Sequence, residues 1–271
     1  MAHAFLFDLD GTLYTEAGAV PGAAELIARL RSRGTPFRFV TNTTSRTRAA
    51  IVERLAGYGI AAEPAEVFTA LRAGAQVARN LGAETVVPFI APEALADLAD
   101  LALVGGTARP TREPLPVGPS ARRSVLIGDL GARWSFDLLQ EAFEHLHAGA
   151  RLIALSRDRY WLKGGRLTLD AGLFVAGLEY AAGTEAVVAG KPNPSFFHAA
   201  VASLDLPPGT PVTMVGDDLW GDIQGAQRAG YRAVLVKTGK FRETALAESG
   251  IEPDQIVGTV GEAVGIEGLR D

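Results

Sequence analysis

The stretch FLFDLDGTLY, residues 5–14, decides how the rest of the chain is read. Three apolar residues, Phe5, Leu6 and Phe7, run into Asp8 and Asp10, and Gly11 and Thr12 follow. A short apolar run bounded by turn residues is the pattern of a strand buried on both faces of a parallel sheet. Side chains two apart on a strand share a face, so Asp8 and Asp10 are expected to project together from its carboxyl end. Open α/β sheets place their ligands there. Two carboxylates held together repel one another and cost desolvation unless a cation or a shared proton intervenes. A helix N-cap pair is the plainer alternative, since aspartate caps helices well. The remainder of the chain separates the two.

Outward from this stretch, helices and strands alternate. Pro21 and Gly22 open AAELIARLRSRG, whose Leu26, Ile27 and Leu30 recur at helical spacing before Gly34. FRFVTNTTS, residues 37–45, is expected to be a second strand ending in Thr41 and Asn42, with a helix after Ser45 that Gly59 closes. A helix is predicted over 68–81 and a strand over 85–90. Residues 105–124, rich in Pro and Arg with no apolar period, read as a long loop. SVLIGDL (124–130) and RLIALS (151–156) read as strands flanking the helix FDLLQEAFEHLH, and 170–183 reads as another helix.

Towards the C-terminus the opening pattern returns. AVVAGKPNP (186–194) is a strand, a Gly-Lys turn and a helix entry. PVTMVGDDLWGDIQGAQRAG (211–230) is a strand ending in Asp217 and Asp218 and then a helix, and RAVLVKTGKF adds one more strand. This order predicts an α/β protein with a doubly wound parallel sheet and right-handed crossovers. The core is expected over 1–78 and 184–271, with a second α/β domain, 79–183, inserted between its halves.

Composition narrows the function classes. At 271 residues, 48% hydrophobic and 21% charged, the chain can bury a sizeable core as an ordinary globular protein. A net charge of −5 leaves no basic surplus to displace counterions, which argues against nucleic acid as a partner. The lack of cysteine excludes disulfides, thiolate catalysis and Cys-ligated zinc. No apolar stretch reaches the ~20 residues of a membrane span, and Asp8 interrupts the first apolar run too early for a signal peptide. A cytoplasmic location is the expectation.

Four strand ends carry distinct chemistry: Asp8 with Asp10; Thr41 with Asn42; Lys191; and Asp217 with Asp218 and Asp222. In a doubly wound sheet such ends converge on one crevice. Mg²⁺ takes one or two carboxylates together with substrate phosphate oxygens, a role that suits Asp8 and Asp217. The Thr41 hydroxyl, the backbone N–H groups after it and the Lys191 ammonium supply donors for phosphate oxygens. A carboxylate can also be the nucleophile, and Asp10 beside it could donate to the leaving oxygen and then take a proton from water. No GxxxxGK loop occurs, so nucleoside triphosphate use is not indicated.

These motifs, DLDGTLY, VTN, GKP and GDDLWGDI, resemble in order the four motifs of the haloacid dehalogenase superfamily of aspartate-nucleophile phosphatases. An insertion between the second and third motifs resembles the large α/β cap of class IIA. Within that class, LEYAAGTEAVVAGKPNPSFF, VGDDLWGDIQGAQRAG and VKTGKFR are similar to phospholysine phosphohistidine inorganic pyrophosphate phosphatase and its hydrolase-domain relatives.

The resemblance implies roles for individual residues. Asp8 would be nucleophile and metal ligand, and Asp10 the acid/base that offers its backbone carbonyl to Mg²⁺. Thr41 and Asn42 would bind the phosphoryl group and Lys191 neutralise it. Asp217 would ligate the metal, and Asp222 would orient Lys191 or metal-bound water. The implied substrate is a small phosphomonoester, with pyrophosphate and phosphoamino acids as alternatives. The phospholysine-active relative has Ser where Asp10 stands, which weakens transfer of its specificity. The cap would close over the substrate. Class members commonly form homodimers through it, although no apolar surface stripe in this sequence establishes one. A non-catalytic phosphometabolite sensor and a phosphotransferase are the competing functions on the same fold.

Several features read as decoys. Asp129 in SVLIGDL lacks a downstream acidic partner at the right spacing and is expected on a cap strand. His145 and His147 lie two apart on a helix and cannot share a face. Trp220 is expected to pack a helix or wall the site. SRDRYWLKGG, residues 156–165, reads as a charged cap loop with a substrate contact as an even alternative.

Overall fold

The computed structural model describes residues 3–108, 122–163 and 166–265, which form two compact units. The first comprises 1–41, 48–68 and 191–271, the second 42–47 and 69–190.

Among the described residues, the first unit holds a six-stranded sheet in the order Gln255–Val257, Arg232–Val236, Val212–Gly216, Ala4–Asp8, Phe37–Thr41, Val67–Thr69. The central strands run parallel, with Phe7 opposite both Val215 and Phe39. Chain order reverses on either side of Ala4–Asp8, so this strand lies at the topological switch point where α/β sheets open a crevice. Its burial is complete: Phe5, Leu6 and Phe7 are wholly excluded from solvent. Each such side chain contributes roughly 2–3 kcal/mol of transfer free energy.

Phe5 and Phe7 face Leu26, Ile27 and Leu30 of the Ala23–Ser32 helix and Ile51 and Leu55 of the Arg48–Gly57 helix. The last strand, Gln255–Val257, comes from the tail that the sequence shows only as weak alternation. Val67–Thr69 is a strand where the sequence predicts the start of a helix; the helix begins at Ala70, with the Thr69 hydroxyl capping the Arg72 N–H.

The second unit repeats the α/β plan. Among the described residues its sheet orders Val187–Val188, Arg151–Ala154, Arg123–Ile127 and Thr85–Phe89, all parallel. Pro88 cannot donate to a ladder, which suits the edge strand it occupies. Val87, Phe89, Val125, Ile127 and Leu152 pack with Leu146 of the Phe136–His147 helix and with Val175 and Leu178 of the Gly172–Ala182 helix.

Two expectations are corrected here. Val187–Val188 pairs with Arg151–Ala154, so the strand before Lys191 belongs to the inserted sheet rather than the core sheet. Its apolar character identifies a strand, but pairing partners are non-local. SRDRYWLKGG is no simple loop: Tyr160–Lys163 pairs antiparallel with Arg166–Leu169, while Gly164 and Gly165 lie outside the described residues. Most of the predicted loop at 105–124, from 109 to 121, also lies outside them. No helix among the described residues is long and apolar enough to cross a membrane.

Candidate active site

The core strand ends at Asp8, and the chain then turns on itself, with the Leu9 carbonyl accepting from the Thr12 and Leu13 N–H groups. Asp10 is therefore off the strand, and the alternation expected to pair it with Asp8 no longer applies. Asp8 is buried, whereas the Asp10 side chain is 57% exposed. Tyr14 Oη donates to Asp10 Oδ2 at 3.1 Å, and Arg54 Nη1 lies 3.5 Å from Oδ1.

Gly11 makes the turn possible. Its φ of 95° is one that L side chains rarely adopt, and a Cβ there would run into the Asp217 carboxylate. Asp217 follows the neighbouring Val212–Gly216 strand, so close approach of the two strand ends requires this glycine. A Cβ on Gly239, in the loop after Arg232–Val236, would run into the same carboxylate. That loop also ties the two ends together: Thr238 Oγ1 donates to the Gly11 carbonyl at 2.5 Å, and the Lys240 N–H donates to Asp217 Oδ2 at 2.6 Å.

Lys191 supplies the cation. It is buried, with Nζ 2.5 Å from Asp8 Oδ1 and 2.6 Å from Asp222 Oδ1. Burial works against the ammonium, yet the attraction of Asp222 and Asp8 outweighs it and holds Lys191 above its ordinary range. One ammonium cannot satisfy three buried acids. Burial pushes Asp8 up despite Lys191, and it pushes Asp222 to about 7. Asp217 is raised well above the carboxylate range by burial and by repulsion from Asp8 and Asp222. Carboxylate oxygens of Asp8, Asp217 and Asp222 lie within 4.8 Å of one another. An all-oxygen set that is short of positive charge fits a hard divalent cation.

Asp222 is placed by an unusual turn. Leu219–Gln224 is π-helical, and the Asp218 carbonyl accepts from both the Asp222 and Ile223 N–H groups, at 2.9 and 3.2 Å. This widened turn folds Asp222 back onto Gly216, where any Cβ would collide with its carboxyl group. Asp218 does other work. Its Oδ1 accepts from the Trp220 and Gly221 N–H groups, and its Oδ2 pairs with Lys240 Nζ at 2.7 Å. Burial alone would raise Asp218, but Lys240 brings it below its ordinary value. Trp220 is half exposed and lines a small cavity with Asp217, Asp218, Lys240 and Phe241.

Thr41 ends the strand adjacent to Asp8, whose partner in register is Val40. Its side chain is buried. Asn42 groups with the second unit, where its Oδ1 lies 2.6 Å from the point at which Gly190 would carry a Cβ. The structure thus draws Asp8, Lys191, Asp217 and Asp222 into one cluster, with Thr41 on the next strand and the Asp10 carboxyl turned to Tyr14 and Arg54.

Family models describe both halves of the core. A haloacid dehalogenase-like hydrolase model matches residues 5–103, and a HAD-hydrolase-like model matches 188–263. Haloacid dehalogenase-like hydrolase domain-containing protein 2 of Rattus norvegicus is 41% identical over 92% of this chain and 89% of its own length. The chain belongs to the haloacid dehalogenase-like hydrolases. It is a phosphatase-type member of their class IIA, with the inserted α/β unit as cap. Human phospholysine phosphohistidine inorganic pyrophosphate phosphatase is 32% identical over 96% of this chain and 92% of that one. Glycerol phosphate phosphatase of Mycobacterium tuberculosis, solved in complex with calcium, superposes with a TM-score of 0.79 at 28% identity, covering 95% of this chain and 73% of that one.

Tyr14, Arg54, Thr238, Gly239 and Lys240 are contributors that sequence reasoning passed over. The Thr-Gly pair after an apolar strand was a visible turn signal for the last three. Tyr14 stands at the end of the DLDGTLY motif with no role read for it, and Arg54 carries no signal of its own.

Proposed function

We propose that this chain is a Mg²⁺-dependent phosphatase that hydrolyses a small phosphorylated metabolite through an aspartyl-phosphate on Asp8. The observation that carries the reading is the buried Lys191, bridging Asp8 and Asp222 at 2.5 and 2.6 Å beside a third buried acid, Asp217. Mg²⁺ held by Asp8, Asp217 and the Asp10 backbone carbonyl would neutralise charge on the phosphoryl oxygens. Thr41, Asn42 and Lys191 bind the transferred group, and Asp222 orients Lys191.

Asp8 attacks phosphorus while the bond to the leaving oxygen breaks. That oxygen keeps the electron pair and receives the Asp10 proton. The Asp10 carboxylate next takes a proton from water as the water attacks phosphorus. The bond to Asp8 then breaks, releasing inorganic phosphate and restoring both aspartates.

Relatives named for phospholysine, phosphohistidine, pyrophosphate and glycerol phosphate support a small phosphate ester or anhydride as substrate. A panel of such compounds compared by kcat/KM selects among them. With an aryl phosphate and Mg²⁺ the protein is expected to release phosphate, and Asp8→Asn to lower kcat by at least about a thousandfold. Undiminished turnover in that variant would overturn the assignment.

The reading includes a homodimer through the cap. Tyr160 and Leu169 are opposed on one face of a two-stranded hairpin, and Leu167 and Leu169 are more than half exposed. An isolated hairpin is marginal in water, and an apolar face is better kept against a second copy of itself. Sedimentation is expected to give twice the chain mass, reverting to the monomer in Leu167→Glu/Leu169→Glu.

A further inference from the structure

The Asp10 carboxyl is more than half exposed, yet both of its oxygens are engaged. Tyr14 Oη donates to Oδ2 at 3.1 Å and Arg54 Nη1 lies 3.5 Å from Oδ1. An exposed ion pair of that length contributes little to stability. Its partners, however, are held firmly. Tyr14 is buried, and its backbone is fixed to the same turn, with the Gly11 N–H donating to the Tyr14 carbonyl at 2.7 Å. Its ring stacks on Tyr58 at 4.9 Å between centroids, and the Arg54 guanidinium lies 4.5 Å from its centroid. Arg54 and Tyr58 are four residues apart, where the Arg48–Gly57 helix ends, so one short segment presents both to Tyr14.

We propose that Tyr14 and Arg54 are positioning residues for Asp10, the Tyr14 hydroxyl donating to one carboxyl oxygen and the Arg54 guanidinium ion-paired with the other, so that the group is fixed in one orientation. The inference rests on the reading of Asp10 as the group that protonates the leaving oxygen. A side chain as exposed as Asp10 would otherwise rotate freely, and proton transfer requires its oxygen within hydrogen-bond reach of the departing one. Tyr58 supports the arrangement by packing against the ring of Tyr14.

The test uses a series of aryl phosphates from phenyl phosphate to 2,4-dinitrophenyl phosphate, whose leaving oxygens range from needing a proton to needing none. In the intact protein with Mg²⁺, Asp10→Asn sets the benchmark by steepening the dependence of kcat/KM on leaving-group acidity. Tyr14→Phe, which keeps the ring stack, is expected to lower kcat/KM about tenfold on phenyl phosphate and less than about twofold on 2,4-dinitrophenyl phosphate. Arg54→Gln is expected to act in the same sense, with Arg54→Lys recovering part of the loss.

Equal losses across the series, or none at all, would overturn the inference and leave Tyr14 and Arg54 as packing residues. A different result would end the underlying reading: an unchanged slope in Asp10→Asn, or no phosphate released by the parent protein from any member.

Discussion

The two units of this protein are built alike and used differently. Each is a parallel sheet flanked by helices around an apolar core. At the carboxyl ends of the core strands the chain buries acids, Asp8, Asp217 and Asp222, and tolerates their desolvation by gathering them around Lys191. In the inserted unit the corresponding polar residues satisfy local backbone. Asp129 Oδ1 accepts from the Gly131 N–H at 2.8 Å, and Ser156 Oγ accepts from the Asp158 N–H at 3.1 Å. One layout of strands can therefore carry a charged cluster or a set of turn caps, and the fold alone does not say which.

The largest break in this contrast is expected from Lys191→Met. It leaves Asp8 and Asp222 buried without their cation, and removing one partner of a buried ion pair costs about 3–5 kcal/mol. Urea unfolding of the metal-free protein at pH 8 is expected to show that loss. At pH 5 the loss should shrink, because the two acids can take up protons. A loss unchanged by pH would mean that Lys191 matters for packing rather than charge.

Acid titration should separate the units with opposite signs. In the inserted unit, burial and the nearby Arg123 pull His145 from 6.5 to about 4. The unfolded chain therefore binds the proton more readily, so stability present above pH 6.5 is lost as pH falls towards 4. In the metal-free core, burial raises Asp222 from 3.8 to about 7, so its contribution is present below pH 3.8 and lost as pH rises through 7. Hydrogen exchange corrected for intrinsic rates should show protection in the inserted unit falling between pH 7 and 5, an effect of roughly 1–2 kcal/mol. His145→Gln should remove it. Protection that fell equally in the core would contradict the difference.

The smallest effect belongs to Asp129→Ala. It imitates a motif acid in sequence but caps a turn, so kcat/KM on any substrate is expected to stay within about twofold of the parent. A larger drop would place the cap strand end in the chemistry.

Strand ends were the most legible part of this chain. Apolar runs that stop at Asp8, Thr41 and Asp217 mark the core strands by local composition, and three of them lie side by side in the sheet. Pairing partners were not legible. Val187–Val188 reads as a strand, but nothing within a few residues says that it joins Arg151–Ala154. Asp10 was visible as an acid and misplaced in direction, because period-two alternation holds only while the backbone is extended. The partners of Asp10 lay hidden for the same reason: Arg54 is one arginine among many on amphipathic helices, and only the tertiary fold lays it over Tyr14.

The π-helical winding of Leu219–Gln224 makes spacing a functional variable in its own right. Shortening this segment by a single residue would let the i→i+5 turn close as an ordinary i→i+4 turn, leaving the following helix in place while moving the residues inside the turn, Asp222 among them. Asp222 would then leave Lys191 although no carboxylate had been altered. Length polymorphism at this point should be as damaging as loss of an acid, and an inventory of side chains alone would miss it.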